Sequence, residues 1–316
     1  MSRLPNNSIT IIMYHYVRNV KKSKYPNLKA FEFLKFKKQI KFLNKRYNVL
    51  NKDQLLEILH SKKIPKKPSV VLSFDDGYSD HYKVSEYLSD FKNEGFFYIV
   101  GSASKAERML DVNKIHFIIE KEQNIYKLIK YVLTYYKKFT GKELDLSTIK
   151  KILIKEKKYN YFDDFNTYFF KSLMRVALEK KIRQKILNKL FKEVINEDEK
   201  QFAKKLYLNK NQIIEMSNNG MNFGIHCYDH LPLGYLNKIK QKEQIEKSLD
   251  FMKFIKQNHK EISVCYPNGV YNETTIELMK KYKFSFGLTI KNGFLNKKNI
   301  SKRFELPRID VTQIKF

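Results

Sequence analysis

The sequence predicts an α/β protein in which parallel strands and intervening helices form a barrel, interrupted by a long helical insertion. Over the first hundred residues, short apolar runs alternate with helical stretches in the order strand, helix, strand, helix. A strand at 70–74 ends in the acidic pair Asp75 and Asp76, at the strand end where parallel α/β proteins place their chemistry. From about 103 to 206, strand and turn signals nearly disappear and helical spacing takes over.

The elements of the first part follow directly from these patterns. A short apolar run predicts the first strand at 9–13, and apolar residues three and four apart predict a helix at 31–46. Either Asn51 or Asp53 is a suitable cap for the next helix. The predicted order is strand 9–13, helix 31–46, strand 47–50, helix 53–59, strand 70–74, helix 80–93 and strand 95–100.

The second part shows a similar alternation after the helical stretch. Within that stretch the pair Asp163 and Asp164 is interpreted as a helix cap or polar turn, because neither a strand nor a glycine accompanies it. A helix that closes at Asn218-Asn219-Gly220 precedes the strand that leads to His226. The later elements are helix 211–219, the strand-like apolar segment 221–223 that leads to the histidines, helix 238–257, strand 262–266, helix 272–281 and strand 284–290.

The composition indicates a globular protein with a strongly basic surface. The chain has 316 residues, of which 42% are hydrophobic, and a formal net charge of +29. The charge is explained either by a solvated lysine-rich surface or by attraction to an anionic membrane face or a phosphate-bearing substrate. Nucleic acid is not expected as a partner, because no zinc-finger, helix-turn-helix or RNP-like pattern accompanies the charge.

The apolar run at 9–13 and the cysteine content lead to an expectation about the compartment. The run is too short for the core of a signal peptide or for a membrane span. The two cysteines, Cys227 and Cys265, are expected to remain thiols. We therefore expect a cytoplasmic protein, either free or peripheral at the inner face of the membrane.

Two short segments carry the candidate chemistry. Neighbouring carboxylates at Asp75 and Asp76 do not both ionise cheaply unless a cation neutralises one, so one metal ligand and one general base are predicted. His226 and His230, four residues apart, can converge on one cation. An aspartate with two histidines suits Zn²⁺ or a similar divalent ion and leaves positions for water and substrate. The alternatives are a simple turn after the strand and a histidine that only packs.

These segments carry a family resemblance. Ser73-Phe74-Asp75-Asp76-Gly77 resembles the (S/T)FDDG motif of polysaccharide deacetylases, the NodB-homology or carbohydrate esterase family 4 group. The segment from His226 to His230 resembles their H(S/T)xxH motif, and the segment from Cys265 to Tyr271 is similar to the YPyG segment of one branch. The resemblance implies a distorted (β/α)7-type barrel formed by 1–102 and 207–316, with 103–206 as a helical insertion.

The resemblance also implies a role for each matching residue. Asp75 would act as the general base, and Asp76, His226 and His230 would bind a divalent metal. Zn²⁺ is the expected ion, with Co²⁺, Ni²⁺ and Mn²⁺ as alternatives. The reaction of the family removes an N- or O-acetyl group from a sugar.

Departures from the family pattern affect the general acid. The expected histidine near the C-terminus is absent, but Ile12-Met13-Tyr14-His15 resembles a circularly permuted copy of that motif, so His15 is the expected acid. The segment Leu306-Pro307-Arg308-Ile309-Asp310 resembles a terminal LPRI motif. The usual arginine of the third motif is missing near Cys265, and Arg308 is therefore expected to orient or tune Asp75.

Further departures affect the substrate site. Cys227 takes the usual Ser/Thr place, where a thiol is a weak hydrogen-bond donor or, alternatively, a fourth soft ligand. The chain has no tryptophan, so tyrosines must supply any sugar platform; the candidates are Tyr78, Tyr228 and Tyr271. The residues expected to contact substrate or the oxyanion are Tyr266, Pro267, Asn268, Gly269 and Tyr78.

The implied function is removal of the N-acetyl group from an amino sugar in a cell-surface glycan pathway, such as that of lipopolysaccharide or capsule. An O-acetyl carbohydrate esterase is the nearest alternative. A catalytically silent module that binds glycan or membrane is the alternative from another class. The insertion at 103–206 would cover the site, present part of the substrate or pair with another chain.

Overall fold

The computed structural model describes residues 4–106, 108–147, 149, 163–256 and 261–314. By their contacts these residues belong to two compact units. The first unit comprises Met1–Asn19, Lys29–Glu107 and Ala203–Phe316, and the second comprises Val20–Leu28 and Arg108–Phe202.

The strands of the first unit form a closed parallel barrel. They are β1 Ile9–Tyr14, β2 Asn48–Val49, β3 Ser69–Phe74, β4 Phe96–Ile99, β5 Asn222–Ile225, β6 Val264–Cys265, β7 Gly287–Asn292 and β8 Leu306–Asp310. Seven strands close the ring in the order β1, β3, β4, β5, β6, β7, β8 and back to β1, while β2 pairs with the start of β3 outside it. The predicted (β/α)7-type barrel is confirmed.

Helices follow most of the strands. They are α1 Phe33–Arg46, α2 Lys52–Ser61, α3 Asp80–Asp90, α4 Gly101–Ser104, α5 Asp111–Lys121, α6 Ile125–Thr140, α7 Phe165–Ser172, α8 Lys180–Ile195, α9 Glu199–Leu206, α10 Lys210–Asn218, α11 Lys238–Phe254 and α12 Glu273–Lys281. Asn51 and Asn272 begin α2 and α12 with complete capping boxes, and Asn51 is one of the two residues predicted as the cap of α2.

The alternation of side chains along β3 determines which of them reach the site. Val70, Leu72 and Phe74 pack in the layer between the strands and the outer helices, whereas Val71 packs in the barrel interior. Because successive side chains of a strand point to opposite faces, Ser73 and Asp75 continue the interior row. In β8, Leu306 packs in the same interior, which places Arg308 in the corresponding row.

The predicted bounds differ most from those observed at β6 and β7. The strand predicted at 284–290 begins at Gly287, because the N–H of Phe284 closes α12 by donating to the carbonyl of Met279. The strand predicted at 262–266 is reduced to Val264–Cys265. The predicted helix 238–257 extends in the structure to Phe254, and Gln257 lies outside the described residues.

The regular secondary structure described in the second unit is helical. The buried faces of its helices follow the apolar spacing seen in the sequence: Ile115 and Ile118 of α5, Leu128 and Val132 of α6, Leu187 and Leu190 of α8. Asp164 caps α7 by accepting hydrogen bonds from the N–H groups of Asn166 and Thr167, which confirms the predicted cap. Within the described ranges, none of the helices combines the length and the apolar character that crossing a membrane would require.

Candidate active site

The site begins where β3 ends and the chain turns sharply. The N–H of Asp75 donates to the carbonyl of Tyr14 at 2.9 Å, which is the last bond of the β1–β3 ladder. Asp76 and Gly77 then adopt left-handed conformations, with φ of 73° and 66°. A Cβ on Gly77 would also lie 2.9 Å from a methyl of Ile99, so only glycine fits there without strain. This turn separates the two carboxylates and gives them different partners.

Asp76 faces the two histidines. Its Oδ1 lies 3.4 Å from Nε2 of His226 and 3.4 Å from Nε2 of His230. The N–H of His226 donates to the carbonyl of Ile99, which fixes it at the end of β5. Its Nδ1 lies 2.8 Å from the carbonyl of Cys265, and a proton on Nδ1 leaves Nε2 free to act as a ligand. The structure therefore brings the three predicted ligands together.

The donor set fits a divalent cation. Asp76 Oδ1 is buried and, in the described part of the chain, has no hydrogen-bond partner, although the three donor atoms converge there. Burial lowers the pKa of His230 to about 4, so its imidazole is neutral and has a lone pair for a metal at physiological pH. Burial by itself raises the pKa of the Asp76 carboxyl, but the neighbouring histidines hold that pKa well below its usual value. One carboxylate and two imidazoles are a typical zinc-binding set.

Tyr78 lies beside Asp76 and orients its carboxylate. Its hydroxyl donates to Asp76 Oδ2 at 2.6 Å, and its ring stacks on that of Tyr16 with centroids 4.0 Å apart. Tyr78 is only 1% exposed. The structure thus places it as a partner that orients Asp76, whereas the sequence had indicated a substrate contact.

Asp75 is paired with Arg308 inside the barrel. Nη1 and Nη2 of Arg308 donate to the two carboxylate oxygens, each at 2.8 Å, and Nε donates to the carbonyl of Thr289. Burial raises the pKa of the Asp75 carboxyl, but the Arg308 guanidinium outweighs burial and lowers it to about 2. Asp75 is therefore a carboxylate at every physiological pH and can accept a proton or a hydrogen bond.

His15 lies at the end of β1, beside Asp75. Its Nε2 is 3.9 Å from Asp75 Oδ2, and its side chain is 44% exposed. A histidine that is both close to the carboxylates and open to solvent can exchange protons with a bound molecule. The structure therefore brings the three residues with predicted catalytic roles together: Asp75, His15 and Arg308.

In the segment after β6, most backbone N–H groups are already bound within the barrel. The N–H of Tyr266 donates to the carbonyl of Leu288, and its hydroxyl donates to the carbonyl of Phe304, so both are engaged in the barrel. Pro267 has no N–H, and that of Gly269 donates to the carbonyl of Tyr266. Asn268 adopts a left-handed conformation with φ of 55°. Of the predicted oxyanion donors, Asn268 is the one whose N–H these bonds leave available.

The two cysteines have different surroundings. Cys227 is buried and lies in neither cluster of metal-binding atoms found among the described residues. Sγ of Cys265 accepts a hydrogen bond from Arg308 Nη2 at 3.1 Å and lies 3.5 Å from Asp75 Oδ2. Cys265, Asp75 and His226 form a second set of potential donors, but the Arg308 guanidinium occupies the space beside it and repels a cation.

Sequence reasoning did not identify two of the residues that support the site. Ser73 Oγ accepts a weak hydrogen bond from Arg308 Nη1 at 3.3 Å and donates to the carbonyl of Ile12 at 2.8 Å. His81, in the first turn of α3, lies 2.8 Å from the carbonyl of His15. Ser73 could have been found from the sequence, because a residue two positions before Asp75 in a strand points to the same side. Nothing in the sequence around His81 indicates its contact with His15.

The first two comparisons with known proteins are sequence matches. The family model for polysaccharide deacetylase matches residues 162–287. YxkH of Bacillus subtilis (strain 168), a protein assigned to the polysaccharide deacetylases, is 30% identical over 95 residues, which are 30% of this chain and 33% of YxkH. The matched stretch thus spans about a third of the length of that relative.

Solved structures match over nearly the whole chain. The Streptococcus pyogenes deacetylase PplD, solved in complex with acetate, superposes with a TM-score of 0.59 at 17% identity, covering 97% of this chain and 93% of PplD. IcaB from Ammonifex degensii superposes with a TM-score of 0.56 at 14% identity, covering 99% of this chain and 95% of IcaB. At such identities these two matches establish a shared fold. Residues 162–287 are thus similar in sequence to the polysaccharide deacetylase family, and the fold of the chain is similar to that of solved deacetylases.

Proposed function

We propose that this protein is a metal-dependent deacetylase that hydrolyses the N-acetyl group of an amino sugar in a cell-surface glycan pathway. The observation that carries the proposal is the convergence of Asp76, His226 and His230 on one point, beside the carboxylate of Asp75. The match of residues 162–287 to the polysaccharide deacetylase family model supports the reaction class. The donor set supports the dependence on a divalent metal.

Each residue of the site has a separate role in amide hydrolysis. When bound by Asp76, His226 and His230, a divalent ion would polarise the acetyl carbonyl and make a water more acidic. Asp75, ionised because of Arg308, accepts the proton of the attacking water. The N–H of Asn268 is the proposed donor to the oxyanion. His15 then donates a proton to the nitrogen of the departing amine.

His15 favours an amide substrate over an ester. An amine leaves an amide only when its nitrogen is protonated, whereas the alkoxide of an ester is a better leaving group. A solvent-exposed imidazole 3.9 Å from Asp75 Oδ2 is suited to that protonation. Removal of an O-acetyl group remains the second candidate, because the same carboxylate and metal ligands serve ester hydrolysis.

We further propose a cytoplasmic enzyme that meets an N-acetylated sugar on a lipid or nucleotide carrier. The net charge of +29 supports attraction to the phosphate of such a carrier and to an anionic membrane face. Zn²⁺ is the proposed ion, since two imidazoles and a carboxylate suit it, and Co²⁺, Ni²⁺ and Mn²⁺ are the alternatives.

The test measures acetate release with Zn²⁺ or Co²⁺ supplied. The panel contains N-acetyl and O-acetyl sugars in free, nucleotide-linked and lipid-linked forms, each assayed beside the Asp75→Asn variant. Metal-dependent release from N-acetyl sugars that Asp75→Asn abolishes is the expected result. Release that survives Asp75→Asn would contradict the mechanism. No release from any member by metal-loaded protein would favour a non-catalytic glycan-binding role.

A further inference from the structure

A further histidine, His81, is buried next to the site and has no role in the mechanism described above. Its side chain is 0% exposed. Its ring lies among those of Phe74, Tyr78 and Phe97, with centroid distances of 5.5, 5.7 and 5.6 Å. An apolar side chain would suit these surroundings better, because a buried imidazole loses its hydration. Burial accordingly lowers the pKa of His81 to about 4, so the ring is neutral.

The contact that offsets this cost runs to the backbone of His15. Nε2 of His81 lies 2.8 Å from the carbonyl oxygen of His15. Because a carbonyl oxygen only accepts, Nε2 must carry the proton and Nδ1 must be the bare nitrogen. In the described part of the chain, that buried Nδ1 has no hydrogen-bond partner. The ring thus makes a single hydrogen bond, and that bond ends on the residue assigned as the general acid.

His15 lies just beyond the last ladder bond of β1, so its carbonyl depends on this side chain. The carbonyl of Tyr14 accepts the N–H of Asp75, and the carbonyl of Tyr16 accepts the N–H of Phe31 at 2.9 Å. Between them, the carbonyl of His15 has no backbone donor among the described residues. Since backbone carbonyls require hydrogen-bond partners, the His81 bond is the protein contact that holds the strand end at this carbonyl.

The rest of the turn is held from the same helix. Nε of Arg18 donates to Asp80 Oδ2 at 2.6 Å, and Asp80 is the first residue of α3. The start of α3 therefore holds the turn after β1 at two points, one at Arg18 and one at the backbone of His15. The side chain of His15 remains half exposed, so its position depends on how firmly its backbone is held.

We propose that His81 is a positioning residue, which holds the His15 carbonyl and thereby keeps the His15 imidazole beside Asp75. This inference rests on the proposed function, in which His15 donates a proton to the leaving group. A displacement of a catalytic group by about 1 Å costs roughly 100-fold in rate. Loss of the His81 bond should therefore lower turnover while leaving the metal ligands in place.

The test compares variants of His81 in the wild-type protein and in the His15→Ala variant. We expect His81→Leu to lower kcat about 10- to 100-fold, with KM and bound metal nearly unchanged. His81→Gln should recover most of the loss, because its amide nitrogen can take the place of Nε2, whereas His81→Asn is too short and should not. In a His15→Ala background, His81→Leu should cause no further loss. Val84→Ala, buried in the same helix, is the control: it should lower Tm without changing kcat.

The possible outcomes separate the inference from the proposed function. If His81→Leu and His81→Asn turn over normally, or if their losses multiply with that of His15→Ala, the inference is overturned and His81 is a structural residue only. Should His81→Leu fail to fold, the comparison of His81→Asn with His81→Gln gives the same decision. Absence of acetate release by the metal-loaded wild-type protein would instead contradict the proposed function.

Discussion

Arg308 and Asp75 form a bidentate ion pair in the barrel interior, with both N–O distances at 2.8 Å and side chains that are 0% and 2% exposed. Removing one partner of a buried pair leaves an uncompensated charge, which typically costs about 3–5 kcal/mol. The geometry also fixes the orientation of the carboxylate, because two parallel hydrogen bonds allow one arrangement. Stability and the proposed base therefore depend on the same contact.

The first prediction concerns Arg308→Lys. Lysine keeps the positive charge but lacks the two nitrogens that donate to both carboxylate oxygens of Asp75. The pKa of Asp75 should therefore rise from about 2. The acid limb of the kcat/KM profile should then move to higher pH, and activity at neutral pH should fall roughly 10- to 100-fold. Profiles from pH 2 to 9, a range that includes the wild-type pKa of Asp75, would test this, with the exposed Arg303→Lys as control. An unchanged acid limb would contradict the tuning of Asp75 by Arg308.

The second prediction concerns stability in acid. The folded pKa of Asp75, about 2, lies below its ordinary value of about 3.9. A lowered pKa contributes stability that is fully present above about pH 4 and is lost as the pH falls through 2, on the order of 2 kcal/mol. Denaturant unfolding between pH 5 and pH 2 should show this loss. The double variant Asp75→Asn/Arg308→Met should lack it, and an identical loss in that variant would assign the effect to other groups.

The third prediction concerns the metal. Chelation should abolish activity, one equivalent of Zn²⁺ or Co²⁺ should restore it, and metal at 100 times Kd should stabilise the protein by about 2.7 kcal/mol. Asp76→Asn should remove both effects, because Asp76 Oδ1 is the atom on which the donors converge. Metal analysis and thermal unfolding are the measurements. The exposed His60→Ala is the control, and metal stabilisation that persists in Asp76→Asn would place the ion elsewhere.

The fourth prediction concerns Tyr78→Phe. The substitution keeps the buried ring and removes the hydroxyl that donates to Asp76 Oδ2. Because such partners orient metal ligands, metal affinity should fall about 10- to 100-fold. Competition with a chromogenic chelator would measure it. Tyr87→Phe is the matched control, since the hydroxyl of Tyr87 makes a long hydrogen bond of 3.4 Å away from the site. Equal metal affinity in both variants would show that Tyr78 only packs.

Local patterns were sufficient for much of the fold. Asn51 and Asn272 begin helices because their side chains satisfy free N–H groups within one turn, which needs no distant partner. The apolar run at 70–72 predicted the strand β3, which is buried along its whole length. Asp76 and His226 were recognisable because each follows an apolar strand. The first and last residues of β6 and β7 were predicted less accurately, because the ends of a strand depend on the strands that pair with it.

The sequence by itself determined which side chains stand at the strand ends: Asp75, Asp76, His226, His230 and His15. Only the tertiary structure decided how they pair. Closure of the barrel through β1 and β8 brings Arg308 to Asp75, although 233 residues separate them, and docking of α3 brings His81 to the carbonyl of His15. Local patterns encode the periodicity of a segment, whereas contacts across the barrel depend on strand order and register, which are set when the whole sheet closes.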